Sequence, residues 1–439
     1  MRRICLALPT NRPCAAAISA VHQEAAYAAE NFDVEVHLLV LDSCDRASFT
    51  RHAAVVGGLP ATPGVVTHHL DEAAQREFLR QVIGAAGLDK PELLLDLMLP
   101  AALSYGACTN RAFLIAAALG CASVHRRDSD SRYQELDGVP VFPIHHELRS
   151  LGKRAADAAS SVTGTDLDAR HRDKPVSMVG SSFVGEMSVD IDEMYRLDPE
   201  VYYEVVGLWA PFHWPQEEKR RFVDDSFRGA GTEMFTRDRA TLTLVDPMRV
   251  DMCNIAFSGV QEQVPLMPAT DTIGSDYFLI HLVHDATLPG VLHNRNIVNF
   301  YTGERRTDPG FMAYHLRFAK FFLSMLYLNH VYDRMEKAGE TLLDGEHRIR
   351  VPAIVELLRE SSGLDVTENV QRLDALDRTY RRLGGRYARF ASALAERRAR
   401  LLDEARRDIE DYALLTEAWS AMIRASRATD LHRLKRLPG

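Results

Sequence analysis

The chain has 439 residues, a formal net charge of −9, and 46% hydrophobic against 26% charged residues. That length allows about two domains, the balance is that of an ordinary globular chain, and the acidic surplus excludes a general nucleic-acid binder, which needs a basic face. The six cysteines, Cys5, Cys14, Cys44, Cys108, Cys121 and Cys253, form no CxxC pair and no zinc-ligand spacing, so reduced thiols in a cytoplasmic protein are expected.

The opening MRRICLALPTNRPC has an apolar run too short for a signal peptide. Arg3 to Leu8 predicts a strand, closed by the turn Pro9-Thr10-Asn11-Arg12-Pro13. Alanine-rich Ala15 to Glu30 predicts a helix, and Asp33 to Leu41 a second strand that ends in Asp42-Ser43-Cys44-Asp45. Strand, helix and strand in this order read as a right-handed βαβ unit whose loops share one sheet edge. His68-His69 reads as a surface turn, since adjacent extended side chains point to opposite faces. Gln75 to Ala86 predicts a helix, while Asp89 to Leu99 fits either helix or strand.

Ser104 to Tyr133 is the stretch around which the rest is organised. It joins a glycine-containing loop, an apolar buried helix (Ala112 to Leu119) stopped by Gly120, a short strand (Cys121 to Val124) and the acids of Asp128-Ser129-Asp130. Two carboxylates held close together repel each other, and a hard divalent cation relieves that repulsion while bridging phosphate oxygens. The competing reading is a solvated acidic loop.

Residues 131–175 read as a polar excursion, and Val176 to Val179 as a strand. An inserted segment at about 186–240 carries Trp209, Pro211, Phe212, His213 and Trp214, aromatics that either fill a core or stack on the apolar face of an acceptor. Asp276, in Gly274-Ser275-Asp276, opens an apolar helix, where an ionised carboxylate serves as a cap or as a general base. His293, at the end of a strand over Gly290 to Leu292, is either a loop histidine or a competent Mn²⁺ ligand. Arg295, Arg305 and Arg306 are candidates to neutralise a diphosphate. Phe311 to Tyr332 resembles a membrane span, but Arg317, Lys320, Asn329 and His330 interrupt it, so no transmembrane segment is expected. Leu373, Leu376, Tyr380, Leu383, Tyr387, Phe390, Leu394 and Leu401 form a stripe at spacings of three and four, to be buried on another helix of this chain or of a second copy. Gly384-Gly385 should bend or end the helix.

The motifs PTNRP, DSCD, SYGACTNRAFLIAAALG and DSD, in this order, resemble the start of a GT-A glycosyltransferase of the large family-2-like group. In those motifs Asn110-Arg111 stands in place of Arg-Asn; the segment from Val250 to Tyr301 is similar to that family's acceptor-side portion, with Ser275 where the family often has Glu. The resemblance implies an α/β fold with a GT-A-type, Rossmann-like nucleotide-binding domain and a mostly parallel sheet over residues 1–308, followed by a helical domain over 309–439. It implies a metal-dependent enzyme that moves a sugar from a nucleotide-sugar donor to an unidentified acceptor. Pro9, Thr10, Asn11, Arg12, Asp42, Asn110, Arg111 and Asp128 would hold the donor, Asp128, Asp130 and His293 would hold Mn²⁺ or Mg²⁺, and Asp276 would deprotonate the acceptor. The competing readings are a sugar-phosphate nucleotidyltransferase, against which the lack of glycine in PTNRPCAAA counts, and an inactive binding or scaffold protein of the same fold.

Overall fold

The computed structural model describes residues 1–187 and 190–429. Residues 188–189 of the expected insertion and 430–439 of the expected helical domain lie outside the described residues. The first strand, β1 (Arg2–Thr10), runs two residues beyond its expected end because Pro9 needs no donor at that position and Thr10 still pairs with its neighbour. Helix α1 (Ala15–Asn31) and strand β2 (Val34–Asp42) complete the βαβ unit. Helix α2 (Arg46–Gly57) is capped by Asp45, whose side chain accepts from Ser48 N. Strand β3 (Val65–Leu70) holds His68 and His69, so the expected surface turn is instead a parallel strand beside β2. Opposite faces are nonetheless correct for the pair, since His68 meets His37 and His69 meets Asp42.

Helices α3 (Glu72–Ala86) and α4 (Pro91–Met98) follow, α4 settling the ambiguous stretch as helix through a proline at its start. Helix α5 (Tyr105–Ala118) takes in the expected loop glycine, with Ser104 as its cap. Gly106 is needed there because an added Cβ would lie 1.9 Å from the Met267 carbonyl oxygen. Strand β4 (Val124–Arg127) begins where Cys121 to Val124 was expected to end. Its two arginines disguise it in the sequence.

Nine strands form one mixed, mostly parallel sheet in the order β3, β2, β1, β4, Asn254–Phe257, Met178–Gly180, Gly290–His293, Ala240–Thr243 and Gly164–Asp166. Parallel register sets Thr10 opposite Asp42 and Ala7 opposite Arg126, so the loops after β1, β2 and β4 gather at one edge. Strand Asn254–Phe257 runs antiparallel to β4 with Asn254 opposite Arg127, which carries the preceding Asp251 to that same edge.

The carboxy-terminal region is helical: Asp308–Ala338, Val351–Ser362, Thr367–Leu383 and Gly385–Arg427. Gly384, at φ 71°, ends one helix and admits the next, as the glycine pair led one to expect. The stripe residues Leu373, Leu376, Tyr380, Tyr387, Phe390, Leu394 and Leu401 are buried within the chain. One apolar core runs from Leu39 and Phe113 of the sheet side into Phe322, Leu376 and Trp419 of the helices. Burying a large side chain of this kind contributes about 1.5–3 kcal/mol. The last long helix is also pinned by polar contacts: Tyr412 Oη donates to Pro265 O at 2.9 Å, Trp419 Nε1 to Gln261 O at 3.0 Å, and Ser426 Oγ to Leu114 O. Among the described residues no helix is long and apolar enough to cross a membrane.

Candidate functional site

A cleft enclosing about 950 Å³, its open mouth included, lies at the carboxyl ends of β1, β2 and β4, the edge where open α/β sheets bind ligands. Thr10, Asn11 and Arg12 form one wall, Ser43 and Leu103 to Tyr105 another, and Arg126, Asp128, Asp130 and Arg305 face them. The turn after β1 is ordered by Thr10 Oγ1, which accepts from Arg12 N at 3.3 Å. Asp130 takes Arg12 Nη1 at 3.1 Å and Arg305 Nη2 at 3.2 Å. Arg126 sends Nη1 to Asp276 at 2.7 Å and to Met252 O at 3.0 Å, and its Nη2 lies 3.1 Å from Asp128. Among the described residues, two nitrogens of the arginines that line the cleft are buried without partners: Arg126 Nε and Arg305 Nη1.

Dehydration and the neighbouring Asp130, Asp251 and Asp276 push the Asp128 carboxyl up to about 6, against the pull of Arg126. Burial, together with Asp251, also raises Asp276, and Arg126 opposes it. Burial alone would weaken the Arg126 cation, but Asp128 and Asp276 outweigh it and keep the guanidinium charged. The cleft therefore sets Asp128 and Asp130 beside guanidinium groups that keep nitrogens without partners. Such a site can take a polyanion and a cation together.

Of the residues singled out in the sequence, Pro9, Thr10, Asn11, Arg12, Asp128 and Asp130 line this cleft. Arg111 reaches its floor, but its guanidinium is spent on Gln75 Oε1 and Met98 O, each at 2.7 Å. Asn110 does not face the cleft. Its side chain donates to Leu266 O and accepts from Leu266 N, both at 2.8 Å, clamping α5 to the segment before Asp276.

Asp42 is buried below the cleft, with Oδ2 accepting from His52 Nδ1 at 2.7 Å and His69 Nε2 at 2.9 Å, and Oδ1 accepting from Cys44 N at 3.0 Å. Burial would raise its pKa; hydrogen bonds from His69, Cys44 and His52 outweigh that and hold it well below the usual carboxylate range. Because Cys14 N donates to His52 Nε2 at 3.0 Å, the network assigns the His52 proton to Nδ1. Asp42, His52 and His69 bring their ligand atoms within 4.8 Å of one another, spacing that could also hold a metal ion; among the described residues Asp128, Asp130 and His293 form no such set.

His293 stands apart because two strands separate its own from β4. It is buried, stacks on His146 at 5.4 Å and accepts from Arg295 N at 3.2 Å, and burial holds its pKa well down. Arg295 is engaged bidentately by Asp238 at 2.7 and 3.0 Å, and Arg306 by Glu186, so of the three candidate arginines it is Arg305 that reaches the cleft. Asp276 is nearly buried and turned to Arg126.

Four features escaped the sequence reading: Arg126, Asp251, the assembly of Asp42 with His52 and His69, and a second cavity that Asp251 helps to line. The signal for Arg126 was a charge inside a short central strand, which has to be paired.

No curated protein matches the chain. Among solved structures it is similar to a mannosyltransferase from Pyrobaculum calidifontis in complex with GDP-Man and Mn²⁺, at 12% identity and TM-score 0.34, over 95% of this chain and 88% of that one. It is also similar to mouse xyloside xylosyltransferase 1 in its apo form, at 13% identity and TM-score 0.19, over 45% of this chain and 59% of that one. A family model matches residues 2–435, the helices included with the sheet, and the chain belongs to that family, described as a Family of unknown function (DUF6271).

Proposed function

We propose that the chain is a glycosyltransferase that takes a nucleotide-sugar donor in the cleft above β1, β2 and β4. The observation that carries this reading is the pairing of Arg126 Nε and Arg305 Nη1, buried without partners, with the Asp128 carboxyl, which Asp130, Asp251 and Asp276 crowd. A diphosphate answers the first and a divalent cation the second. In this reading the turn Pro9 to Arg12 and Ser43 flank the nucleoside. Arg12, Arg126 and Arg305 take the diphosphate, and Asp130 is freed from Arg12 and Arg305 as they turn to it. Asp128, with Asp130, would hold Mn²⁺ or Mg²⁺. When bound, the cation supplies positive charge that stabilises the departing diphosphate. Asp276 fixes Arg126 in place instead of reaching the acceptor, because its carboxylate is committed to that guanidinium. His293 takes no part.

The test is thermal unfolding with a panel of nucleoside diphosphates, each with and without Mn²⁺. A ligand at about 100 times its Kd adds about 2.7 kcal/mol. The expected result is a raised midpoint for one nucleotide that requires the metal and is lost in Asp128→Asn. A folded protein that responds to none of them sinks the reading.

A further inference from the structure

Behind the carboxylates lies a second cavity of about 1060 Å³, its opening included. Aromatic and apolar side chains make up the larger part of its walls, Trp209, Phe227, Phe321 and Met325 among them, while Asp225, Arg228 and His281 also line it. Trp209 stands edge-on or tilted to Phe222, Phe227 and Phe321 at 5.0–5.3 Å, which holds its ring rigidly along the wall. The two cavities adjoin in two places. Arg305 of the cleft lies over the ring of Tyr314, which lines the second cavity, at 5.4 Å from guanidinium carbon to centroid. Asp251, also on the cavity wall, stands at the sheet edge beside Asp128 and contributes to raising its pKa.

Asp251 is held for a purpose at that border. Its Oδ1 accepts from Cys253 N at 2.8 Å and its Oδ2 from the hydroxyl of the cavity-lining Tyr277. Unlike Asp276, it has no arginine bound to it among the described residues. A carboxylate fixed by two neutral donors at the mouth of an apolar chamber, next to the donor cleft, is placed to accept a proton from a hydroxyl presented there.

We propose that this cavity is the acceptor site, that it takes an uncharged aromatic or polycyclic molecule bearing a hydroxyl, and that Asp251 is the base that receives the hydroxyl proton. This rests on the reading that the donor occupies the cleft. In the step, the acceptor oxygen forms a bond to the anomeric carbon of the sugar as its proton passes to Asp251. The bond from that carbon to the diphosphate oxygen breaks, and the nucleoside diphosphate leaves with the electron pair.

The experiment uses the full chain and 2-naphthol as the probe. Calorimetry should show saturable binding that weakens at least tenfold in Met325→Trp, which fills the chamber. Transfer of sugar from the nucleotide-sugar of the responding nucleotide to the naphthol oxygen, followed by mass spectrometry, should fall at least 100-fold in Asp251→Asn. Should Met325→Trp not fold, Leu328→Phe replaces it with the same readout. No saturable binding to folded wild type, or binding that the filling variant leaves untouched, overturns the cavity assignment. If a nucleotide still raises the unfolding midpoint in that case, the donor reading stands and the acceptor inference alone has failed. Transfer unimpaired in Asp251→Asn removes the base from Asp251. Binding of naphthol without any nucleotide response removes both the donor reading and the role given to Asp251.

Discussion

Arg126 and Arg127 are neighbours on β4, yet they do opposite things because adjacent strand residues point to opposite faces of a sheet. Arg127 turns toward α1. It meets Glu24 bidentately at 2.9 and 2.8 Å and Glu147 at 3.0 Å, while Nη1 donates to the Arg126 carbonyl at 2.7 Å, so each of its nitrogens has a partner. Tyr133 and the backbone of Ile144 add further donors to Glu24, and His125 binds Glu147 at 2.6 Å. Arg126 turns the other way, to Asp276 and Asp128, and keeps Nε unpartnered. Around Arg127 every guanidinium nitrogen is bound, and only a carboxylate oxygen, Glu147 Oε1, is left buried without a partner; such a network holds elements together. Around Arg126 a guanidinium nitrogen is left over, which is capacity for an anion.

Breaking the closed side should have the largest effect on stability. Arg127→Met leaves Glu24 and Glu147 buried without their cation, a loss of about 3–5 kcal/mol expected in urea unfolding; a loss below about 1 kcal/mol would mean the network is not a rivet. Arg126→Gln should lose less stability, since it strands one buried carboxylate, Asp276, where Arg127→Met strands two; it should act in addition on binding, since hydrogen bonds to charged groups are worth about 1.5–3 kcal/mol, or about 10- to 100-fold in the Kd of the responding nucleoside diphosphate by calorimetry. Equal losses of stability in the two arginine variants would erase the distinction between the faces. Asp276→Asn keeps a hydrogen-bonding group against Arg126 but removes the charge, and about a few-fold to tenfold weakening of the same nucleotide is expected from the looser guanidinium.

The smallest effect, and the one that separates the faces most cleanly, is in pH. Asp128 has a raised pKa, about 6 in the folded chain against 3.8 ordinarily. Its neutral form therefore favours folding fully below 3.8, and that contribution is lost as pH rises through 6. Cation-dependent nucleotide binding needs the ionised form and should weaken below about pH 6. Glu147 is the reverse: burial would raise it, but Arg127 and His125 outweigh that and hold it below its ordinary 4.5. Its contribution is present above 4.5 and lost as pH falls below it, seen in acid unfolding with no change in ligand affinity near pH 6. A single transition shared by binding and unfolding would contradict two independent networks.

What the sequence made legible was what local patterns encode. The apolar runs of β1 and β2, the alanine-rich α1 and the positions of the loops after them all lie where expected. Asp128 and Asp130 do stand on the cleft. The misreadings share a cause: polar residues were taken to face a ligand when they face the protein. Helix α5 is apolar nearly all round, so Asn110 and Arg111 within it had to be buried and had to find internal partners, and that inference was open from the sequence. The Asp42, His52 and His69 assembly was not, because its members come from β2, α2 and β3 and meet only through the sheet register. Asp251 was hidden for the same reason: the antiparallel course of Asn254–Phe257, which no local pattern encodes, takes it to the carboxyl end of β4.

The anchoring of the final long helix has a consequence for the order of events in folding. Ser426 binds the Leu114 carbonyl in α5, and Trp419 and Tyr412 bind carbonyls of Gln261 and Pro265, just after strand Asn254–Phe257. These contacts span between 147 and 312 positions of chain. Closing such long loops is slow and comes late. A ribosome that has released residues 1–130 has made every wall of the cleft except Arg305, but the helix that bears Ser104 and Tyr105 still exposes an apolar back. The walls are synthesised early, and the contact of Ser426 with the back of that helix can be made only near the end.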